Sequence, residues 1–436
     1  MSYRTRSFLI VSGLLMVVGC SNIPPASLAD LNGANALTTV SNFVFVTSTA
    51  RNELRVLNLN GNKTDFVRAP NPLEPLSIPV IPQPTALTAD IGFDAAGTFL
   101  AGQYVFAGAT ASTISVVKTD PTRLAQQGLV QSAGGIITAL AARYTPSLSP
   151  NVTGASVLYY ASYQQGALGH LDGSVVWAAA IVDGQQVGAP TMIAQYPNAS
   201  VQGILTLPNQ QLAVATRSSG LVDAKVYLYP SSVGNVAPSW TLTLPVRQLY
   251  THEASVNSPA GTFIYAVLDE EFCPSPYPSS FLQLTDCRGV VALSAATGKV
   301  QNKNQAPLNF GKGSAQGVTV VPSGQILTST LTSTPDTKDL LGVATGSDGE
   351  INFFDATSMD PVIGPTTGQP VQITLDLAIG TFRYPAGVVY NRANGANNSA
   401  LLYIAYPSAN AMVQLDPTHL IPNVPNGSSN VVTVFR

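Results

Sequence analysis

Three observations in this 436-residue sequence predict an all-β fold, a seven-bladed β-propeller of four-stranded blades. A pattern of alternating apolar residues, closing on Asp, Asn or a turn former, recurs at near-constant spacing. A strongly apolar, β-rich run precedes each copy. Further strand-like runs before and after these pairs bring the count to four per unit.

The recurring pattern reads "LRVLNLNGN" ending at Asn60, "ISVVKTDPT" at Asp120, "AAAIVDGQ" at Asp183 and "KVYLYPSS" at Pro230. It continues with "GVVALSAATGK" at Ser294, "GEINFFDAT" at Asp355 and "AMVQLDPT" at Asp416. The anchors lie 60, 63, 47, 64, 61 and 61 residues apart, the self-similarity of a repeat architecture. The preceding runs are "NFVFVTS", "QYVFAGA", "VLYYASY", "QLAVATR", "TFIYAVL", "QILTSTL" and "LLYIAYP". Period-two alternation of Val, Ile, Tyr and Phe between Gly, Asn and Ser is strand chemistry. Inner strands are expected at "QGILTLPNQQ" (202–211), "ASVNSPAGT" (254–262), "QGVTVVPSGQ" (316–325) and "AGVVYNRANG" (386–395). Outer strands are expected at "SWTLTLPV" (239–246), "PVQITLDLA" (370–378) and "NVVTVF" (430–435). Radial repetition of such units leaves only short, protected sheet edges. A pair of flat packed sheets is the alternative, and the even spacing argues against it.

"GVTVVPSGQILTST" and "VVALSAATGKV" resemble the YVTN-type repeat of YncE-like bacterial propellers. In that family an inner strand ends in Pro-x-Gly and a third strand in Asp-x-x-Thr-Gly. The resemblance covers roughly residues 39–436, with units longer than the family's. Closure has two solutions: "NVVTVF" completes the last unit while "ALTTVSN" opens the first, or the two termini share a blade.

The chain begins "MSYRTRS", with Arg4 and Arg6, and runs into the apolar stretch Phe8 to Val18. A basic start, a short apolar core and a small-residue cut site make a secretory signal, too short to span a bilayer. Val17-Val18-Gly19-Cys20 resembles the bacterial lipoprotein signal, which implies cleavage after residue 19 and a diacylglycerol on Cys20. Ser21 stands where the family's inner-membrane retention signal has aspartate, so the resemblance implies the outer membrane. The expected organisation is a signal peptide (1–19), a lipidated tether (20–38) and the propeller (39–436). With Cys20 lipidated, Cys273 and Cys287 remain, and they bracket the Pro- and Ser-rich "CPSPYPSSFLQLTDC". A disulfide stapling this loop is expected in an envelope compartment.

Charged residues are only 10% of the chain, against about 25% in an average soluble protein. Losing Arg4 and Arg6 takes the net charge from -3 to about -5, with no basic cluster. That excludes a phosphate-tracking nucleic-acid footprint. The three histidines, His170, His252 and His419, share no strand at ligand spacing, so no metal or cofactor is expected. "GSDGE" (346–350) and "NLNGNKTD" (58–65) read as turns, lacking oxygen ligands at alternate positions. No nucleophile elbow or phosphate loop is present.

Propeller ligands commonly meet residues just before each inner strand. Aligning the expected inner strands places Gln202, Glu253 and Gln316 together, with His252 one residue earlier and Arg383 and Tyr384 just upstream in the last unit. This set is the candidate channel-mouth site, or plain polar channel lining. The expected function is a lipid-anchored binding or scaffold protein for another envelope protein or polymer. Its loops 70–84 and 273–287 are further recognition candidates. The alternative is a lactonase, lyase or quinoprotein-like enzyme, for which His252 and Glu253 form the lone neighbouring imidazole–carboxylate pair.

Overall fold

The computed structural model describes residues 31–40, 42–59, 65–69, 75–109, 111–120, 122–146, 154–164, 173–218, 224–231, 234, 236–255, 257–272, 288–308, 313–323, 338–346, 349–363, 370–374, 384–392, 400–415 and 431–435. The fold is all-β and propeller-like. Every third strand carries one of the recurring sequence patterns: Glu53–Asn58, Thr113–Lys118, Gly173–Val182, Lys225–Tyr229, Val290–Ser294, Glu350–Asp355 and Ala411–Leu415. Each pairs antiparallel with the strand before it, so each unit is a meander wound from the inside outward.

The side chain that closes the pattern ends the strand. Asp120 accepts hydrogen bonds from the Thr122 N–H (2.9 Å) and hydroxyl (2.6 Å). Asp355 accepts from the N–H groups of Thr357 (2.9 Å) and Ser358 (3.0 Å). These Asx turns offer the backbone a local partner in place of the ladder, which is why the repeat is legible as sequence.

The first strands are Leu37–Val40, Ala86–Phe93, Ile136–Thr145, Ala199–Thr206, Val246–Tyr250, Ala315–Val321 and Gly387–Arg392. Consecutive ones lie against each other, and the last lies against the first. The second and third are bridged in parallel at Ala142–Asp90 and Arg143–Ile91, which fuses two four-stranded meanders into one eight-stranded sheet. Among the described residues the buried apolar side chains fall into clusters that each straddle two neighbouring units. The core is therefore not central but lies between sheets, and the centre is left for a channel.

Of the two closure schemes, the structure has the first. Leu37–Val40 pairs with Phe43–Ser48, and Val431–Phe435 pairs with Ala411–Leu415, so each terminal unit is built from its own end of the chain. The seam is held by packing: Phe66 meets Phe435 edge-on at 5.3 Å between ring centroids. Leu31 and Ala34 are buried in the same cluster, and the Gly33 N–H reaches the Asn410 side-chain oxygen (3.0 Å). Residues 31–38, expected in the tether, thus belong to the folded body.

Two expected strands are corrected. In the fifth unit the inner strand is Val246–Tyr250, within "PVRQLY", and 254–262 is loop. The Pro259-Ala260-Gly261 turn therefore lies well beyond the end of its inner strand. In the sixth unit the second strand is Leu340–Thr345, whereas "QILTSTL" (325–331) lies outside the described residues. Cys20, Cys273, Cys287, Arg383, His170 and His419 also lie outside them. No helix among the described residues is long and apolar enough to cross a membrane.

Candidate functional site: the two ends of the central cavity

The first strands enclose a cavity of about 750 Å³. Four of them carry a β-bulge at the same place. The register against the second strand skips Thr138, Gln202, Arg247 and Gln316, each the residue just before the inner strand settles into regular pairing. A bulge bends its strand and re-aims the extra residue. Thr138, Gln202 and Arg247 line the cavity, joined there by Thr85, Ala36 and Ala386 from the remaining units. Gln316 joins the arc through Arg247, whose Nη1 donates to the Gln316 Oε1 at 2.6 Å.

Both glutamines are oriented by the same local device. The Gln202 amide donates to the Ser200 hydroxyl (3.0 Å) and the Gln316 amide to the Ser314 hydroxyl (2.7 Å). A Ser-x-Gln-Gly motif, "SVQG" and "SAQG", encodes this in the fourth and sixth units. With the NH2 group engaged, the carbonyl oxygen is the free end of the amide. In the sixth unit that oxygen meets Arg247. Thr138 Oγ1 is buried and has no hydrogen-bond partner among the described residues. Tyr384, in the left-handed region at φ 52° and 60% exposed, flanks Gly346 together with Gln316, its N–H bonded to the Gly346 carbonyl (2.7 Å). This end is the mouth.

The structure separates His252 and Glu253 from that ring. They follow the C-terminal end of Val246–Tyr250, so they lie at the far end of the cavity, the floor. There the hairpin between Ala86–Phe93 and Phe99–Gly108 reaches over from the second unit to the fifth. The Gly97 carbonyl accepts from the Ala254 N–H (2.8 Å), and the Glu253 carboxylate accepts from the Phe99 N–H (3.3 Å). Asp94 shapes the hairpin turn by accepting from Ala96 (2.9 Å) and Thr98 (2.8 Å). Gly97 sits at φ +80°, and a Cβ there would come within 2.9 Å of both Ala254 and Ala260. The second and fifth units are not neighbours, so this contact crosses the end of the cavity. Phe93 and Phe99, paired at 5.2 Å, line that end.

His252 is 3% exposed, with its Nδ1 donating to the Glu253 carbonyl (2.7 Å) and its ring against Phe263 and Tyr265. Burial holds the imidazole below its ordinary range; the bond to Glu253 and the charge of Asp339 oppose this in part. The loop is pinned further by the Ser255 hydroxyl on the Asp339 carboxylate (2.5 Å). The imidazole therefore serves as buried packing with one main-chain bond.

Asp90 is a second buried group beside the floor hairpin. It stands at a bulge of its own strand, is 0% exposed, and accepts from the N–H groups of Gln103 (3.1 Å) and Tyr104 (2.8 Å) and from the Ser156 hydroxyl (2.5 Å). Burial pushes its carboxyl up to about 6, against the lowering effect of these bonds. Among the described cavity-lining residues, charge is carried by Arg247 at the mouth and Glu253 at the floor. No group of three or more His, Cys, Asp and Glu that could hold a metal is present among the described residues.

Of the residues the sequence set at the mouth, Gln202, Gln316 and Tyr384 stand at this end, together with Arg247 and Thr138, which the sequence did not single out. The signal for Arg247 was the alternation in "VRQLY", which the displaced Pro-x-Gly turn obscured.

No protein-family model matches the chain, and no curated protein matches it. Among solved structures it is similar to hydrazine synthase of Kuenenia stuttgartiensis, at TM-score 0.52 and 13% identity over 91% of this chain and 99% of that one. The likeness is one of fold. A putative 6-phosphogluconolactonase from Bacteroides uniformis aligns at TM-score 0.46 and 14% identity, over 81% of this chain and 88% of that one. Sqt1 of Saccharomyces cerevisiae aligns at 0.44 and 10%, over 90% and 84%.

Proposed function

We propose that the chain is a lipid-anchored, seven-bladed β-propeller of the bacterial outer membrane that works as a binding protein. The carrying observation is the asymmetry of the cavity: a polar arc at one end and a hairpin latched across the other. Seven first strands in contact around one cavity support the blade count. The Val17-Val18-Gly19-Cys20 signal supports the anchor. The volume falls within the roughly 300–1,000 Å³ of small-ligand sites. An enzyme built on His252 and Glu253 has less support, because the imidazole Nδ1 is occupied by a main-chain carbonyl and its ring is buried. The ligand is either a free small molecule or the terminal group of an envelope polymer or protein presented to the mouth.

Native mass spectrometry of the acylated protein, released gently from membranes, tests this reading. A stoichiometric bound species, absent from an Arg247→Ala/Gln316→Ala variant, is the expected result. A species retained by that variant would move the binding surface away from the cavity, and consumption of the bound compound would make the protein an enzyme. Cys20→Ala should shift the protein from the membrane to the soluble fraction.

A further inference from the structure

Resting on the cavity reading above, we infer that the mouth binds the carboxylate of a small hydroxylated organic acid, with Arg247 as its anion partner. The guanidinium presents five N–H donors in a planar fork that matches a carboxylate. Gln316 takes one of them, and because Ser314 holds the Gln316 amide, the fork is pre-oriented rather than floppy. Among the described residues no carboxylate pairs with Arg247. The acid that does line the cavity, Glu253, is at the other end and engaged with the floor hairpin. Among the described cavity-lining residues the mouth is therefore a cationic point, on a chain whose net charge is negative.

The rest of the arc distinguishes an organic acid from a bare oxyanion. Thr138 lines the cavity one unit beyond Gln202, its hydroxyl buried and without a hydrogen-bond partner among the described residues. Gln202 lines the cavity with its amide nitrogen on Ser200, which leaves the amide oxygen as the acceptor of that group. Deeper in, Thr38, Thr39 and Thr88 stand among apolar Leu, Ile and Ala side chains, a mixed wall suited to a body that carries both hydroxyl and C–H groups. Among the described residues that line the cavity, Arg247 is the one cation, which suits a monoanion. The cavity far exceeds the size of a free inorganic ion.

Calorimetric titration of the full, detergent-purified protein with galacturonate, glucuronate and gluconate tests the inference. Galactose and inorganic phosphate serve as controls. At least one acid is expected to bind, more than tenfold tighter than galactose and with affinity falling as salt rises. Arg247→Ala should lose at least tenfold, and Arg247→Lys should recover part of the loss, with thermal unfolding unchanged in both. Equal affinity for galacturonate and galactose would overturn the carboxylate class while leaving a cavity-binding protein. Displacement of the acid by equimolar phosphate would assign an inorganic oxyanion site instead. No binding of any of the three acids would overturn the inference outright. The species seen by native mass spectrometry then decides separately whether the cavity binds anything.

Discussion

The two ends of the cavity are built by opposite means. At the mouth, side chains from adjacent blades are re-aimed by bulges, oriented by local serines and left open to solvent. At the floor, backbone from two distant blades is tied together, and the polar groups are buried and bonded. A mouth of this kind loses little folding energy when altered, because its side chains contact few neighbours. The floor carries fold stability, because a change there breaks contacts between non-neighbouring blades.

The largest test of that contrast is Asp90→Ala. It leaves the Gln103 and Tyr104 N–H groups and the Ser156 hydroxyl without an acceptor. At about 1–3 kcal/mol for each buried unsatisfied group, urea unfolding should show a loss of about 4 kcal/mol. Ligand binding at the mouth should persist in the folded fraction.

Asp90→Asn should separate the cost of the charge from the loss of an acceptor, through the pH dependence of its effect. The carboxyl's native value of about 6 lies above the ordinary 3.8, so ionisation costs the native state. Wild-type stability from this group is greatest below about pH 4 and falls as pH rises through about 6. The amide keeps one acceptor and turns an NH2 toward donors that the second carboxylate oxygen served. The variant should therefore be less stable than wild type at low pH, and the deficit should shrink by up to about 3 kcal/mol above pH 7. A flat difference across that range would refute the assigned cause.

Gly97→Val should cost about 3 kcal/mol, from a β-branched residue at positive φ and the clash with Ala254 and Ala260. Thermal unfolding measures it. Unchanged stability would mean that the hairpin does not latch the floor.

A smaller effect is expected from His252→Gln. Burial lowers the His252 value, so the wild type loses stability as pH falls below about 6.5, and the variant should lose less. Acid unfolding followed from pH 7 to 5 shows the difference.

The smallest effect on stability belongs to the mouth. Arg247→Ala should change unfolding free energy by less than about 0.5 kcal/mol, as for other exposed substitutions away from the core. A loss comparable with that of the floor variants would erase the distinction between the two ends.

The same contrast separates what could be read from residues alone. Third strands were legible because their terminators, Asp120 and Asp355, act on residues two and three further along the chain. Gln202 and Gln316 were legible because each stands directly before the Gly-containing inner strand by which the units were aligned. Arg247 was not, since residues 251–258 push the fifth unit's Pro-x-Gly turn away from its strand. His252 and Glu253 were thereby set on the mouth, although they stand at the floor.

By itself, then, the sequence determined the all-β repeat and the turn chemistry within it. Both depend on interactions a few residues apart, and alternation and turn residues express those directly. Among the described residues the sheet of the fifth unit has three strands and that of the first has five, against the four expected of each. Only the tertiary structure decided which residues share the mouth, how the hairpin of the second unit crosses to the fifth, and how Phe66 and Phe435 pack where the last unit meets the first. Those contacts join residues distant along the chain, and one skipped residue in a strand register moves a side chain from the core to the cavity.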